Sequence, residues 1–144
     1  MSKKIVVIIG SPRKNGNSFA MTEAFIKAVE EKGHTVTRFD AALKKVGGCR
    51  ACETCFSTGK ACTFDDDFNT IAPAILEADA LVFTMPVYWY SMSVMDGVRI
   101  PMERMCALNK WKMVGEVLIP GVLNVGDIDR TDGCKKAAAL ADEI

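Results

Sequence analysis

The chain has 144 residues, of which 49% are hydrophobic and 25% are charged, and its 18 acidic and 18 basic residues cancel. This length predicts a single domain, 1–144, with enough apolar residues to form a core. The balanced charge argues against a nucleic acid as partner, and the absence of a bilayer-length apolar run argues against a membrane. The apolar stretch at 5–9 is too short for a signal peptide, which predicts a cytoplasmic protein.

The first forty residues predict a strand, a helix and a second strand. Residues 4–10 form a continuous β-branched run, typical of a strand buried on both faces. Residues 18–32 place apolar side chains at i, i+3 and i+4 spacing, and Gly33 ends the predicted helix. Residues 34–39 alternate as a second strand does. This order predicts a parallel sheet with a right-handed crossover.

The rest of the chain continues the alternation of helices and strands. The predicted elements are a helix from 66 or 67 to about 77, a buried strand at 80–84, a helix at 93–108, a last strand at 113–119 and a closing helix at 131–144.

The loop after the first strand carries the clearest binding signal. Loops at the carboxyl ends of parallel strands bind ligands, and the following helix offers free N–H groups to an anion. The loop lacks both common phosphate-loop patterns, G-x-x-x-x-G-K-[ST] and G-x-G-x-x-G. Its neutral donors suit a phosphate monoester bound without a metal, such as that of FMN. The alternative is a polar turn with a helix-capping serine.

Two segments resemble those of one family. The pattern G-S-P-R-x-x-G-N-S at 10–18 and the segment M-P-V-Y-W-Y-S-M at 85–92 are similar to loops of the NAD(P)H-dependent FMN reductase and iron-sulfur flavoprotein family. The resemblance covers residues 4 to about 104 and resumes at 111. It implies a flavodoxin-like α/β fold, a doubly wound parallel sheet in three α/β/α layers, with FMN at the topological switch point.

The same resemblance assigns the cofactor-binding residues. It implies phosphate binding by Ser11, Arg13, Asn15, Gly16, Asn17 and Ser18. It implies contacts to the ribityl chain and isoalloxazine ring by Pro86, Val87, Tyr88, Trp89, Tyr90 and Ser91. No catalytic acid or base is expected, because hydride transfer to a flavin needs none. A homodimer or tetramer is expected, with at least one of the three aromatics on the flavin and another at the interface. Core packing is the alternative for one or two of them.

A second candidate site is the cysteine-rich loop at 47–63. Cys49, Cys52, Cys55 and Cys62 have the spacing C-x2-C-x2-C-x6-C, which places four potential thiolate ligands within fourteen residues. This arrangement resembles the motif that binds a 4Fe–4S cluster in the iron-sulfur flavoproteins. A structural zinc site and free thiols remain open as alternatives. Cys106 and Cys134 are predicted to be small buried hydrophobes.

The chain departs from the family pattern between Arg104 and Trp111. A flavodoxin-like sheet has five strands, and the stretch between Arg104 and Trp111 is too short to hold the fourth strand with its helix. Either the unit is deleted, or the printed sequence leaves residues out at this point. The second explanation is preferred, because losing an internal strand would expose apolar surface on the third strand.

Three functions follow as hypotheses. The first is an NAD(P)H-dependent FMN or quinone-type reductase, with the nicotinamide nucleotide as transient electron donor. The second is an electron carrier that receives electrons from a ferredoxin-like donor through a 4Fe–4S cluster. The third is a thiol or zinc module without flavin, against which the intact 11–18 loop argues.

Overall fold

The computed structural model describes residues 1–87 and 92–144. Three strands form one parallel sheet: β1 (Lys4–Ile9), β2 (Thr35–Phe39) and β3 (Ala80–Thr84), in the order β2-β1-β3. The register pairs Val6 of β1 with Thr37 on one side and with Leu81 on the other. Apolar residues 5–7 and 9 of β1 are at most 1% exposed, which confirms the predicted strand buried on both faces.

Five α-helices accompany the described part of the sheet: α1 (Asn17–Glu31), α2 (Thr54–Thr58), α3 (Phe68–Leu76), α4 (Met92–Asn109) and α5 (Gly133–Ala139). Short 3-10 helices lie at Ala41–Leu43, Asp127–Arg130 and Leu140–Asp142. None of the helices in residues 1–87 and 92–144 is both long and apolar enough to cross a membrane.

The helices cover both faces of the sheet. On one face, Phe25 and Val29 of α1 and Ala137 of α5 join the apolar cluster around Ile5 and Val7. On the other face, Ile71 of α3 packs in a cluster with Val6 and Phe39. Three layers with the order β2-β1-β3 are consistent with a flavodoxin-like fold.

The predicted strand at 113–119 is wrong. These residues have no regular secondary structure, and residues 111–116 are exposed. A strand needs a neighbour for its backbone N–H and C=O groups, and this segment pairs with no strand among the residues that the structure describes. The closing helix is also shorter than the predicted 131–144, because α5 passes into a 3-10 helix at Leu140.

The segment that lacks the expected strand-helix unit is continuous. Helix α4 runs to Asn109, Lys110 has a φ of 56°, and the Trp111 N–H donates a hydrogen bond to the Cys106 carbonyl at 2.8 Å. The preferred explanation, that the sequence leaves residues out here, stays a prediction. All five residues of β3 are partly exposed, as expected for a sheet without a fourth strand beside it.

Candidate functional site

The two loops singled out in the sequence begin side by side at the carboxyl edge of the sheet. The Gly10 N–H donates to the Thr84 carbonyl at 2.8 Å and so extends the β1–β3 pairing to the start of both loops. A Cβ at Gly10 would lie 3.5 Å from the Met85 Cβ. Adjacent parallel strands place their following loops at one edge, where ligands bind in open α/β sheets.

The loop after β1 makes a tight turn before α1. The Ser11 side chain is buried, and its Oγ accepts a hydrogen bond from the Arg13 N–H at 3.3 Å. The Gly16 N–H donates to the Arg13 carbonyl at 3.3 Å, and Asn15 has a φ of 66°. Asparagine is among the few residues that adopt this left-handed conformation readily. A Cβ at Gly16 would lie only 3.2 Å from the Arg13 Cβ, which explains the glycine.

No side chain of residues 1–87 and 92–144 closes the amino-terminal end of α1. Gly16 is the N-cap, and the first helical hydrogen bond runs from the Ala20 N–H to the Gly16 carbonyl. The N–H groups of residues 17–19 therefore lack partners within the helix. The capping-serine alternative is not observed. Free N–H groups and the positive end of the helix dipole favour an anion here.

Asn17 makes two contacts that could not be predicted from the sequence. Its Nδ2 donates to the Asn124 carbonyl at 3.0 Å, and its Oδ1 accepts from the Ile128 N–H at 3.2 Å. Both partners are backbone atoms more than a hundred residues away, so no spacing in the sequence could indicate them. The side chain joins the loop after β1 to a turn near the end of the chain.

The two loops open into one groove of about 1570 Å³ along β3. Seven predicted cofactor-binding residues line it: Ser11, Arg13, Gly16, Asn17, Ser18, Pro86 and Val87. The groove also extends to Asp79 and Ala80 at the other end of β3, and its volume exceeds that of ordinary ligand pockets. Only the part of the groove at the carboxyl end of β3 touches the two loops. The predicted residues Tyr88, Trp89, Tyr90 and Ser91 lie outside the described residues.

Asn15 lies apart from the other predicted phosphate-binding residues. It lines a smaller cavity of about 290 Å³ together with Lys14, Arg38 and Asp40, whereas Ser11 and Arg13 border both cavities. The Arg38 guanidinium lies 4.4 Å from the Phe19 ring centroid and 2.8 Å from the Asp40 carboxylate. The hydrogen bond to Asp40 is the main reason that the pKa of Arg38 is raised.

The cysteine-rich loop is held at both of its ends by two aspartates. The Asp66 Oδ2 accepts from the Gly47 N–H at 2.8 Å, and the Asp67 Oδ2 accepts from the Lys45 N–H at 2.7 Å. Asp66 also accepts through Oδ1 from the Phe68 N–H, the first residue of α3. Asp66 and Asp67 therefore lie at the start of a helix, as predicted, and in addition close the cysteine-rich loop.

The four clustered cysteines are accessible thiols. Cys49, Cys52 and Cys55 are exposed, Cys62 is half-buried, and no cysteine of the described structure forms a disulfide. The Thr54 Oγ1 donates to the Cys52 Sγ at 3.5 Å, and the Thr63 Oγ1 lies 3.7 Å from it. The hydrogen bond from Thr54 is the largest cause that lowers the pKa of Cys52 to about 7. A thiolate is the form that ligates metals.

The ligand role of these cysteines stays a prediction. Within residues 1–87 and 92–144, no three His, Cys, Asp or Glu side chains are grouped as a metal site would require. Four free thiols on one exposed loop nevertheless form a donor set that suits an iron–sulfur cluster. The prediction for the other two cysteines is wrong, since Cys106 and Cys134 are half-buried rather than buried.

Comparison with known proteins identifies relatives of one kind. The sequence model of the NADPH-dependent FMN reductase family matches residues 3–94. An iron-sulfur flavoprotein of Archaeoglobus fulgidus is 36% identical over 90 residues, which are 62% of this chain and 40% of that protein. An iron-sulfur flavoprotein of Methanocaldococcus jannaschii is 32% identical over 90 residues, 62% of this chain and 46% of that protein. A second Archaeoglobus fulgidus iron-sulfur flavoprotein is 25% identical over 119 residues, 83% of this chain and 58% of that protein.

The chain thus spans about half the length of the curated relatives that it matches. No solved structure matches it significantly.

Proposed function

Because the chain belongs to the NADPH-dependent FMN reductase family, we propose that it binds FMN at the carboxyl end of the groove and acts as an FMN-dependent oxidoreductase. The observation that carries this proposal is that the two loops line one cavity where β1 and β3 end. When bound, FMN supplies the redox chemistry, and the protein supplies binding and orientation.

The residues of the first loop fit a phosphate. Ser11 and the free N–H groups at the start of α1 are neutral donors, and Arg13 adds a positive charge at the same cavity. Pro86 and Val87 would border the flavin from the loop after β3. NAD(P)H is the proposed electron donor, and a quinone or a free flavin is the proposed acceptor.

Two adjacent basic residues provide a matched test of the phosphate site. Both residues border the smaller cavity, but of the two only Arg13 also borders the groove. A hydrogen bond to a charged group contributes about 1.5–3 kcal/mol, so Arg13→Ala should weaken FMN binding at least about tenfold. The affinity for riboflavin, which lacks the phosphate, should not change. Lys14→Ala should leave both affinities close to those of the unaltered protein.

Fluorescence titration of the metal-free protein with FMN and riboflavin measures these affinities. Equal losses of FMN affinity in Arg13→Ala and Lys14→Ala would mean that binding depends only on general positive charge and not on a specific contact from Arg13. A wild-type protein that takes up no FMN would refute the proposed function itself.

The second candidate function is an electron carrier with a 4Fe–4S cluster on Cys49, Cys52, Cys55 and Cys62. Four accessible thiols, the lowered pKa of Cys52 and the similarity to proteins named iron-sulfur flavoproteins favour it. A ferredoxin-like protein would then be the electron donor. Bleaching of bound FMN by NADPH under anaerobic conditions supports the first function. Absence of bleaching, with iron bound by the wild type and lost in Cys52→Ser but not in Cys106→Ser, supports the second.

We also propose a homodimer or tetramer. Large apolar side chains are exposed along the groove, among them Trp111, Leu118 and Leu123. Such surface is typical of an interaction site. Sedimentation velocity at several concentrations measures the assembly, and a monomer at every concentration would contradict this part of the proposal.

A further inference from the structure

The turn at 123–128 has its own internal support. The Asp127 Oδ2 accepts hydrogen bonds from the N–H groups of Leu123 and Asn124, at 2.9 and 2.7 Å. These donors hold the pKa of Asp127 below its usual range. Gly126 supplies a φ of 90°, which L-residues rarely adopt. The turn is therefore a defined structure rather than an arbitrary connection.

Two attachments fix this turn relative to the sheet. Ile128, at its end, is 2% exposed, and a Cβ at Gly133 would lie only 2.5 Å from the Ile128 Cδ1. On the other side, the Asn17 carboxamide contacts the turn through both of its polar atoms, as a backbone peptide group does. The core and the loop after β1 thus hold the turn between them.

The turn also presents apolar side chains to the groove. Leu123 and Val125 line the same cavity as Ser11 and Arg13, and they are 51% and 68% exposed. Apolar side chains beside a phosphate loop suit a flat ring or its carbon chain and do not suit the phosphate.

We propose that the 123–128 turn forms a wall of the flavin site, and that Asn17 is the positioning residue that holds this wall. The Asn17 side chain is then not a phosphate ligand, contrary to the assignment implied by the family resemblance, whereas its backbone N–H remains among the free donors at the start of α1. This inference rests on the proposed binding of FMN.

A double-mutant cycle separates the two roles of Asn17. A positioning role predicts that Asn17→Ala and Asp127→Ala each weaken FMN and riboflavin binding alike, about tenfold for lost hydrogen bonds. The double variant should then bind FMN only slightly more weakly than the weaker-binding single variant, because both changes release the same turn. A phosphate-binding role predicts that Asn17→Ala weakens FMN alone and that the effects of the two changes add. Asp129→Asn, an exposed acid in the same region, is the matched control.

A surface variant tests the wall without risk to folding. Leu123→Ala removes an exposed side chain from the groove, and Leu108→Ala removes one that is 85% exposed and does not line the groove. Burial of part of a leucine against the flavin predicts about fivefold weaker binding of FMN and riboflavin for Leu123→Ala. Leu108→Ala should bind as the wild type does.

The outcomes distinguish this inference from the proposed function. Wild-type protein that binds FMN, with Asp127→Ala and Leu123→Ala both unchanged in affinity, would overturn the assignment of the turn alone. Wild-type protein that binds no FMN would overturn the proposed function and this inference with it. Faster proteolysis within the turn in Asn17→Ala than in Asp129→Asn would support the positioning role independently of flavin.

Discussion

Of the two glycines in the loop after β1, Gly16 leaves less room for a Cβ than Gly10, and replacing Gly16 with alanine tests the geometry of the candidate site. The backbone φ of Gly16 is −79°, so alanine meets no conformational strain there. The added Cβ would nevertheless lie 3.2 Å from the Arg13 Cβ and 3.3 Å from the Arg13 carbonyl oxygen. That oxygen cannot move freely, because it accepts the Gly16 N–H. Overpacking of this kind costs about 1–3 kcal/mol, and we expect about 1–1.5 here because the neighbouring Arg13 is exposed and can shift.

Gly97→Ala is the matched control for this change. Gly97 lies within α4, and a Cβ there would have no neighbour within 4 Å in the described part of the chain. Alanine in a helix interior stabilises by about 0.5–1 kcal/mol relative to glycine. The free energies of unfolding of the two variants should therefore differ by about 2 kcal/mol. With a urea m-value of about 2 kcal/mol/M, their midpoints should lie about 1 M apart.

Urea titration of flavin-free protein measures the two midpoints, and FMN titration measures the consequence for the site. Gly16→Ala should weaken FMN binding because the loop after β1 must open, whereas Gly97→Ala should not change it. Equal midpoints with unchanged m-values would refute the packing argument. Unchanged FMN affinity in Gly16→Ala would show that the geometry of this loop does not determine phosphate binding.

Three further predictions follow from other parts of the structure. In metal-free, reduced protein, the rate of alkylation of Cys52 by iodoacetamide should be half-maximal near pH 7. Thr54→Val should move that midpoint to higher pH, because it removes the hydrogen bond that favours the thiolate. An unchanged midpoint would contradict the assigned cause of the lowered pKa. Val29→Ala should lower the free energy of unfolding by about 1–3 kcal/mol in urea titration, and Leu76→Ala, at a side chain that is 83% exposed, by less than about 0.5. Pro101→Ala should raise the thermal midpoint measured by circular dichroism, because proline in a helix interior costs about 3 kcal/mol; a lower midpoint would mean that proline packing matters more than the missing N–H.

The elements with a strong local pattern could be predicted from the sequence. The unbroken β-branched run of β1 indicates a strand covered on both faces, and Ile5 and Val7 are indeed buried. The helical spacing of α1 placed Phe25 and Val29 correctly in the core. The segment 113–119 also has a strand-like composition, but the strand predicted there is not formed. Strand formation depends on a neighbouring strand edge as well as on composition.

The candidate site also has parts that could be predicted from the sequence and parts that could not. The placement of Ser11 and Arg13 at the carboxyl edge follows from the order of strand, loop and helix. The contacts of Asn17 could not be predicted, because the partners are backbone groups 107 and 111 residues away. The position of Asn15 at the smaller cavity likewise depends on the tertiary arrangement of the loop and β2.

The packing of α5 on α1 has a consequence for synthesis of the protein. Ala137 of α5 and Ala141 of the 3-10 helix that follows it complete the apolar cluster that contains Phe25 and Val29, although they follow roughly 110 residues later in the chain. At translation rates of about 5–20 residues per second, an interval of about 5–20 s separates the two helices. During that interval the apolar face of α1 is without its final cover. Chaperones that bind exposed apolar segments should therefore contact the nascent chain at this helix before α5 is made.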